Sequence, residues 1–282
     1  MYPSEKDLGS HFEFGKNWQR LVDQLEKPAV ESSMRAICDF MGRSHLKGLS
    51  FLDVGCGSGL SSLAAYYLGA STICSVDIDP QNVLNVMRVR KKFSVPEHTP
   101  WNVWQGSIVS PGDFKKLPRA DVVYSWGVLH HTGAMWEALD HCTQLVNPGG
   151  YLFIMLYRDA FLAPLWKRVK HFYTRMPRFV QSLMCGAFAG LLICGAILKG
   201  KNPLRTIREY GKNGRGMSWY VDVTDWVGGY PFEYASAEQT IRFLQERGFE
   251  IVKISPKPDG KFNLGYRGTG SYEYLAQKTE RI

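Results

Sequence analysis

The chain has 282 residues, a formal net charge of +8 and a composition that is 45% hydrophobic, 21% charged and 13% aromatic. This length and apolar content suit one large domain, or a domain with an insertion, and they exclude a disordered or fibrous protein. The six cysteines form no C-x-x-C pair, so the sequence indicates neither a zinc knuckle nor a disulfide framework.

The first fifteen residues mix acids, bases and aromatic residues, and they lack the apolar core of a signal peptide. We therefore expect a reducing, cytoplasmic setting.

Apolar runs and helical segments alternate from residue 48 to residue 157. Strands are predicted at 48–54, 72–76, 101–104, 120–125 and 151–157, and helices at 61–69, 80–92 and 136–146. This alternation predicts a parallel sheet that is covered by helices on both faces.

The alternation resumes near the end of the chain. Ser236 is a candidate N-cap for a helix that closes at Gly248, and two more strands are predicted at 249–255 and 272–277. Residues 159–228 fit no strand–helix unit and are interpreted as an insertion. The predicted organisation is an N-terminal helical or lid segment (1–45), a core (46–158), the insertion (159–228) and a C-terminal completion of the sheet (229–282).

A glycine-rich loop follows the first predicted strand. Asp53 precedes Gly55, Gly57 and Gly59, a spacing that matches neither the G-x-G-x-x-G dinucleotide loop nor the phosphate loop. The next strand ends in Asp77, roughly one strand–helix unit later, where an acid binds a ribose diol in this architecture. The loop and the second acid together indicate a nucleoside-containing ligand.

Four motifs in order carry a family resemblance. The stretch "LDVGCGSG" resembles motif I of class I S-adenosylmethionine-dependent methyltransferases, and "VDIDP" resembles their post-I acidic motif. The stretches "ADVVYSWGVLHH" and "LVNPGGYLFIMLY" are similar to the fourth- and fifth-strand segments of ubiquinone-pathway O-methyltransferases and of type 11 and 12 methyltransferases. The resemblance implies an α/β fold: a Rossmann-like, doubly wound, seven-stranded sheet whose last strand is antiparallel, with a helical insertion after the fifth strand.

The resemblance also implies the cofactor, S-adenosyl-L-methionine, and its contacts. By the family's pattern, Asp53 and Gly55 lie by the amino acid end, Asp77 accepts from both ribose hydroxyls, and Ser107 and Ile108 flank the adenine. Relatives often carry an acid where this chain has Ser107. The predicted cofactor residues are Asp53, Gly55, Cys56, Gly57, Gly59, Asp77, Ile78, Ser107, Ile108 and Trp126.

Two histidines follow the fourth predicted strand, at the carboxyl edge of the sheet where ligands bind in open α/β folds. A hydroxyl acceptor must lose a proton during methyl transfer, and a histidine suits this task at neutral pH. Adjacent side chains point in different directions, so we expect one of the pair to act as the base, His131 before His130. The alternative for either histidine is a structural hydrogen bond, and Asp225 is an alternative base.

The histidine segment leaves the substrate class open. The similar ubiquinone-pathway enzymes bind a divalent metal through glutamates, and Gly127 and His130 stand at those positions, so no metal is predicted. Some tRNA wobble-uridine modification enzymes share the pattern S-x-G-V-L-x-H with Ser125–His131. The motif therefore fits both small-molecule and RNA substrates.

Two aromatic stretches are candidates for the acceptor pocket. Residues 11–18 precede the predicted sheet, at a position where relatives often carry a lid. Residues 220–234 place Asp222 and Asp225 beside Trp226 and a Gly-Gly turn, where they could orient a ring or a sugar. The alternative for each acid is a solvated position on a packed surface loop.

The positive charge lies in the insertion. Residues 160–215 carry eleven lysines and arginines and one acid, while the rest of the chain is nearly neutral. Within them, Phe179–Leu198 form an apolar run that is long enough to cross a bilayer. A single crossing would separate the last two strands from their sheet, so the remaining interpretations are an active-site cap, a dimer face, a peripheral membrane contact or, with less support, a nucleic-acid site.

We expect a methyltransferase that acts on a hydroxyl of a small or lipid-linked acceptor. The alternatives are an RNA-modifying methyltransferase that uses the basic insertion, and a regulatory protein that binds the cofactor without chemistry. The expected location is cytoplasmic, with contact at the inner face of a membrane as a variant, and the oligomeric state stays open.

Overall fold

A computed structural model describes residues 18–19, 21–23, 25–210, 219–266 and 268–280. One seven-stranded sheet runs through it in the order β3-β2-β1-β4-β5-β7-β6. The strands are β1 (Ser50–Val54), β2 (Thr72–Asp77), β3 (Trp101–Gln105), β4 (Ala120–Trp126), β5 (Val146–Tyr157), β6 (Phe249–Ser255) and β7 (Ser271–Lys278). The pairs β5–β7 and β6–β7 are antiparallel and the other four pairs are parallel, so β7 runs opposite to the remaining strands, which confirms the predicted sheet and its antiparallel last strand.

Ten α-helices and one 3₁₀ turn (Leu129–His131) can be assigned within the described ranges. The helices are α1 (Lys27–Met41), α2 (Leu60–Tyr67), α3 (Pro80–Lys92), α4 (Pro111–Phe114), α5 (Met135–Leu145), α6 (Ala163–Arg175), α7 (Arg178–Ile197), α8 (Pro203–Arg208), α9 (Trp219–Gly228) and α10 (Ala237–Gln245).

The sheet separates two apolar layers. Along β4, Val123 packs into one layer while Val122 and Tyr124 pack into the other. Successive side chains of a strand point to opposite faces, so a strand that is apolar at every position is covered on both sides. The continuous apolar runs of the sequence therefore correspond to the central strands.

Strand β5 begins five residues earlier than predicted. The register between β4 and β5 shifts between Ala120 and Val122, so the "NPGG" stretch lies within the strand as an irregularity and does not precede it. At Gly150 an added Cβ would lie 2.8 Å from the Asp121 carbonyl oxygen, and a glycine allows this close approach.

The N-cap predicted at Ser236 is confirmed. The Ser236 side chain accepts from the Gln239 backbone, and the Gln239 side chain accepts from the Ser236 backbone, which makes a capping box. Helix α10 therefore starts at a fixed position before the last two strands.

Helices α6 to α9 form the insertion and enclose a small apolar core of their own, made of Tyr173, Cys185, Phe188, Val223 and Val227. The insertion leaves and rejoins the sheet at one place. The Ala235 amide donates to the Tyr157 carbonyl at 3.0 Å, and the Asp159 amide donates to the Ala235 carbonyl at 3.2 Å.

Helix α1 packs on α2 at the other end of the molecule. The predicted lid at residues 11–18 falls outside the described residues except for Trp18. That tryptophan lies against the glycine loop, since an added Cβ at Gly57 would be 3.5 Å from its ring.

Candidate active site

One cavity of about 1010 Å³ extends from the glycine loop to the underside of the insertion. It lies at the carboxyl ends of the parallel strands, where the predicted cofactor and acceptor residues come together. This volume is at the upper end of the range for small-molecule sites, so it can hold a cofactor and part of an acceptor.

The glycine loop forms the floor of the cavity at its cofactor end. Gly55 and Gly57 have φ of 74° and 52°, and a Cβ on Gly55 would lie 2.3 Å from a methyl group of Val128. The amides of Gly55 and Cys56 both donate to the Val76 carbonyl, at 2.8 and 3.1 Å. Only glycine combines this backbone with such close packing, so the loop holds a fixed shape against β2.

Asp77 is buried on the cavity wall at the end of β2. One carboxylate oxygen accepts from the Gly57 amide and the other from the Asp79 amide, both at 2.9 Å. Burial raises the pKa of this carboxyl above its ordinary value, while these backbone donors oppose the rise. The Asn82 side chain donates to the same carboxyl, so three protein donors leave about one of its four acceptor sites for a ligand hydroxyl.

Asp53 lies on the same wall, in a chain of buried hydrogen bonds. Its carboxylate accepts from Ser62 Oγ at 2.5 Å, Ser62 contacts Ser75 Oγ at 2.7 Å, and Trp101 Nε1 donates to Ser75 at 2.8 Å. Burial, and to a smaller extent the charge of Asp77, raises the pKa of Asp53 to about 7. Two buried carboxyl groups on one wall favour a cationic ligand, which fits the sulfonium and the ammonium group of S-adenosylmethionine.

The remaining predicted cofactor residues also line this end, with one exception. Cys56, Ile78, Ser107, Ile108 and Trp126 are on the cavity wall, and Ile78 is 54% exposed there. Ser107 itself is not an acid, but an acidic side chain contacts it: Asp113 Oδ2 accepts from the Ser107 amide at 3.2 Å.

Gly59 is the exception, because it does not line the cavity. It caps α2 at φ 78°, and a Cβ there would lie 3.0 Å from a Val86 methyl group. Its position therefore serves the packing of α2 on α3 and gives no contact to a ligand in the cavity.

The two histidines occupy different environments. His131 lies on the cavity wall, and its Nδ1 is 2.7 Å from the Pro231 carbonyl oxygen. A carbonyl only accepts, so Nδ1 carries the hydrogen and Nε2 is the unprotonated nitrogen of the neutral ring. A Cβ on Gly229 would lie 2.8 Å from the His131 ring, so this glycine, which the sequence analysis did not single out, makes room for it.

His130 is fully buried behind the wall and does not line the cavity. Its ring lies against Tyr157, with the centroids 3.8 Å apart and the planes tilted by 38°. Burial, followed by the neighbouring charges of His131 and Lys170, holds the pKa of His130 well below its usual range. This position does not fit the predicted second-choice role as a base, since the ring is packed inside the protein.

Asp225 lies on the cavity wall, on α9 of the insertion. Asp222 is on the same helix and accepts from the Tyr210 hydroxyl at 2.5 Å, and burial raises its pKa. The stretch that holds these acids, for which a packed surface loop was the alternative interpretation, is helical from Trp219 to Gly228. Within the described ranges, no three His, Cys, Asp or Glu side chains are grouped to hold a metal ion.

Lys170 is one of the eleven bases that the sequence places in the basic insertion, and it does not face solvent. Its side chain is fully buried, donates to the Trp226 carbonyl, and has Nζ 3.9 Å from the centre of the Trp226 ring. Burial lowers its pKa to about 7, and the charge of Asp225 opposes the fall. The periodicity of the sequence gave no sign of this burial, which depends on contacts between α6 and α9.

The methyltransferase domain family matches residues 25–254, which is most of the chain. Among curated relatives, the chain is 28% identical to the mitochondrial ubiquinone biosynthesis O-methyltransferase of Dictyostelium discoideum over 42% of this chain and 38% of that protein. It is 32% identical to the tRNA U34 carboxymethyltransferase of Azotobacter vinelandii over 39% of this chain and 33% of that protein. The chain thus spans well under half the length of these relatives.

Solved structures share the fold at low sequence identity. Magnesium protoporphyrin IX methyltransferase of Synechocystis PCC 6803 with bound SAH superposes with a TM-score of 0.54 at 13% identity, covering 94% of this chain and 93% of that one. An S-adenosylmethionine-dependent methyltransferase of Mesorhizobium loti gives 0.51 at 14% identity, over 88% and 100%. The chain belongs to the methyltransferase domain family, as a class I S-adenosylmethionine-dependent methyltransferase.

Proposed function

We propose that this protein transfers the methyl group of S-adenosylmethionine to a hydroxyl oxygen of a largely apolar, small or lipid-linked acceptor, with His131 as the base. The proposal depends mainly on one observation. His131 lies on the wall of a single cavity, between the glycine loop at one end and the apolar helices of the insertion at the other.

The fixed tautomer of His131 supports its role. Because Nδ1 is held by the Pro231 carbonyl, Nε2 is the nitrogen that can accept the acceptor's proton. Transfer forms the bond between the acceptor oxygen and the methyl carbon as the carbon–sulfur bond breaks, and the hydroxyl proton passes to the histidine. The donor is already activated, so alignment of the acceptor is the protein's other main contribution.

The insertion supplies the apolar end of the cavity. Phe188, Leu192, Ile193 and Ala196 on α7 line it, together with Val223 on α9. Polar side chains of the insertion line the same cavity: Lys199, Lys201, Thr206, Asp222 and Asp225. An acceptor is therefore expected to place an apolar part against α7 and any polar groups near these side chains.

Asp225 is the second candidate base, and the structure supports a different role for it. Its charge opposes the fall in the pKa of buried Lys170, whose amine donates to the carbonyl of Trp226, the next residue along α9. Replacing a carboxylate that balances the charge of a buried lysine is expected to lower the stability of the insertion more than it slows proton transfer.

The acceptor class can be tested with labelled cofactor. Purified protein is incubated with methyl-labelled S-adenosylmethionine and a cell extract, which is then separated into lipid, RNA, protein and small-molecule fractions. We expect the label in the lipid fraction or among apolar small molecules, and it should be stable to mild base as an ether is.

Two outcomes would contradict the proposal. Label in RNA would favour the RNA-modifying alternative, and a matched reaction after ribonuclease treatment would verify it. Cofactor binding without label in any fraction would favour a regulatory protein that binds the cofactor and transfers nothing.

A further inference from the structure

Helix α7 has two apolar faces. One face lines the cavity and packs on α9 through Cys185 and Phe188, as described above. The opposite face is open to solvent, and its side chains are 42% to 87% exposed: Phe179, Leu183, Leu191, Ile197 and Leu198. Arg178–Ile197 is the one helix of the described ranges that is long and apolar enough to cross a bilayer, yet only 11% of its most apolar stretch is buried.

An exposed apolar face of this size is unusual on a folded domain and marks an interaction site. No charged residue interrupts it between Arg178 and Lys199. Positions Gly186 and Gly190 have open space around them, since an added Cβ would meet nothing within 4 Å. Residues Leu165 and Phe172 on the neighbouring helix α6 are each 52% exposed and add to the apolar surface of the insertion.

Bases border the exposed face at both ends. Arg175 and Arg178 are exposed at the start of α7, and Lys199 and Lys201, which also line the cavity, are exposed just after its end. Further exposed bases lie on the adjoining helices at Lys167, Arg168, Arg205 and Arg208, whereas Glu209 is the one acid between residues 160 and 215. An apolar stripe bordered by bases is complementary to an anionic, amphipathic surface.

The fold requires α7 to lie parallel to such a surface and not to cross it. The chain enters the insertion from β5 and returns to β7, which pairs with β5 in the same sheet. The inner face of α7 is also packed on the protein, so only its outer side is open to an apolar phase.

We propose that the outer face of α7 docks this protein on the surface of an anionic lipid bilayer, with the helix in the plane of the interface. The same helix is then the wall between the bilayer and the cavity. Leu192 and Ala196 face the cavity while Leu191 and Ile197 face outward.

Vesicle binding tests the docking face. The full chain is mixed with vesicles of phosphatidylglycerol and phosphatidylcholine, or of phosphatidylcholine alone, and sedimented. We expect binding to the anionic vesicles, and we expect high salt to release only part of it because the apolar contact is not screened. The vesicles contain no acceptor and the readout is binding, so the result does not depend on the proposed function.

Two pairs of variants separate the apolar from the charged contribution. Phe179→Ser with Leu183→Ser should weaken binding at least about 100-fold if both side chains enter the apolar layer. The matched control is Leu84→Ser with Met87→Ser on α3, two side chains of similar exposure outside the insertion, and it should bind as the wild type does.

Arg175→Glu with Arg178→Glu should weaken binding at least about 25-fold, since each base near an anionic surface contributes about fivefold. Lys115→Glu with Lys116→Glu, two exposed bases outside the insertion, is the matched control. Lys170 is left unchanged because it is buried. Cofactor titration and thermal melting should show that all four variants are folded.

Three results would overturn the proposal. The first is no binding to anionic vesicles at low salt. The second is binding that the serine pair does not change. The third is a concentration-dependent dimer, seen by light scattering without vesicles and lost in the serine pair, which would assign the face to a second copy of the chain.

Discussion

At the cofactor end of the cavity, the polar groups come from strand ends and the loops that follow directly. Asp53 and Asp77 end neighbouring strands, and Gly57 binds Asp77 across twenty residues. At the acceptor end, the groups come from distant segments: His131 is held by Pro231, one hundred residues later. The comparison shows that the sequence encodes the cofactor end locally, while the acceptor end depends on how the insertion packs.

The two ends also differ in charge. The cofactor end presents two buried carboxyl groups to the cavity, whereas the acceptor end presents both signs of charge and the insertion carries eleven bases and one acid between residues 160 and 215. Buried carboxyl groups suit a cationic ligand inside, and exposed bases suit an anionic surface outside. Four experiments test this difference between the two ends of the cavity.

The largest effect is expected at the acceptor end. His131→Ala should lower kcat by about 10²–10⁴-fold, because the acceptor's proton loses its base, while cofactor affinity stays nearly unchanged. Steady-state rates and calorimetry measure the two quantities. His98→Ala, at an exposed site, is the control. If His131→Ala retains activity and Asp225→Asn loses it, the role of base moves to the aspartate.

The next effect is expected at the cofactor end. Asp77→Ala removes a charged acceptor and should cost about 1.5–3 kcal/mol of cofactor binding, a loss of affinity of roughly 10- to 150-fold. Asp121→Ala is a matched control, because that carboxylate also accepts from a backbone amide, Ser50 at 2.9 Å, but lies away from the cavity. Wild-type affinity in Asp77→Ala would refute the ribose role.

Lys170 should make the free energy of unfolding depend on pH. Its pKa is about 7 in the folded protein and higher in the unfolded chain, so between these values the unfolded chain binds the extra proton. The free energy of unfolding should therefore rise with pH, by up to about 1.4 kcal/mol per unit from pH 7 to 8.5. Urea unfolding of Lys170→Met should lack this rise, and equal slopes in both proteins would contradict the buried lysine.

The smallest effect is expected outside both ends of the cavity. Ser236→Ala removes a cap of α10 and should lower the free energy of unfolding by about 0.5–2 kcal/mol, without changing kcat or cofactor affinity. Ser182→Ala on exposed α7, where the hydroxyl bonds only within the helix, should change stability far less. A change of cofactor affinity in Ser236→Ala would show that the two ends are coupled through the sheet.

The residues that the sequence placed correctly are those whose position follows from the backbone. Asp77 had to end a strand beside the glycine loop, and the structure puts it on the cavity wall. Gly59 was assigned to the cofactor with its neighbours, although its φ of 78° serves the packing of α2 on Val86. A glycine required by backbone shape and a glycine required by a ligand look the same in a sequence.

The residues that the sequence could not place depend on contacts between distant segments. Lys170 stands in a row of bases and only the packing of Trp226 shows that it is buried. Because His130 and His131 are adjacent, their side chains were expected to point in different directions. Which of the two rings reaches the cavity depends on Gly229 and Pro231. Such contacts leave no periodic signal.

The hydrogen bonds that join Tyr157, Asp159 and Ala235 have an evolutionary consequence. Because the insertion starts and ends at one point, its length can change while the strands on either side keep their pairing. Replacing this segment by one of another length should therefore change the acceptor end of the cavity while Asp53, Asp77 and the glycine loop keep their positions, so acceptor specificity can diverge on one cofactor-binding core.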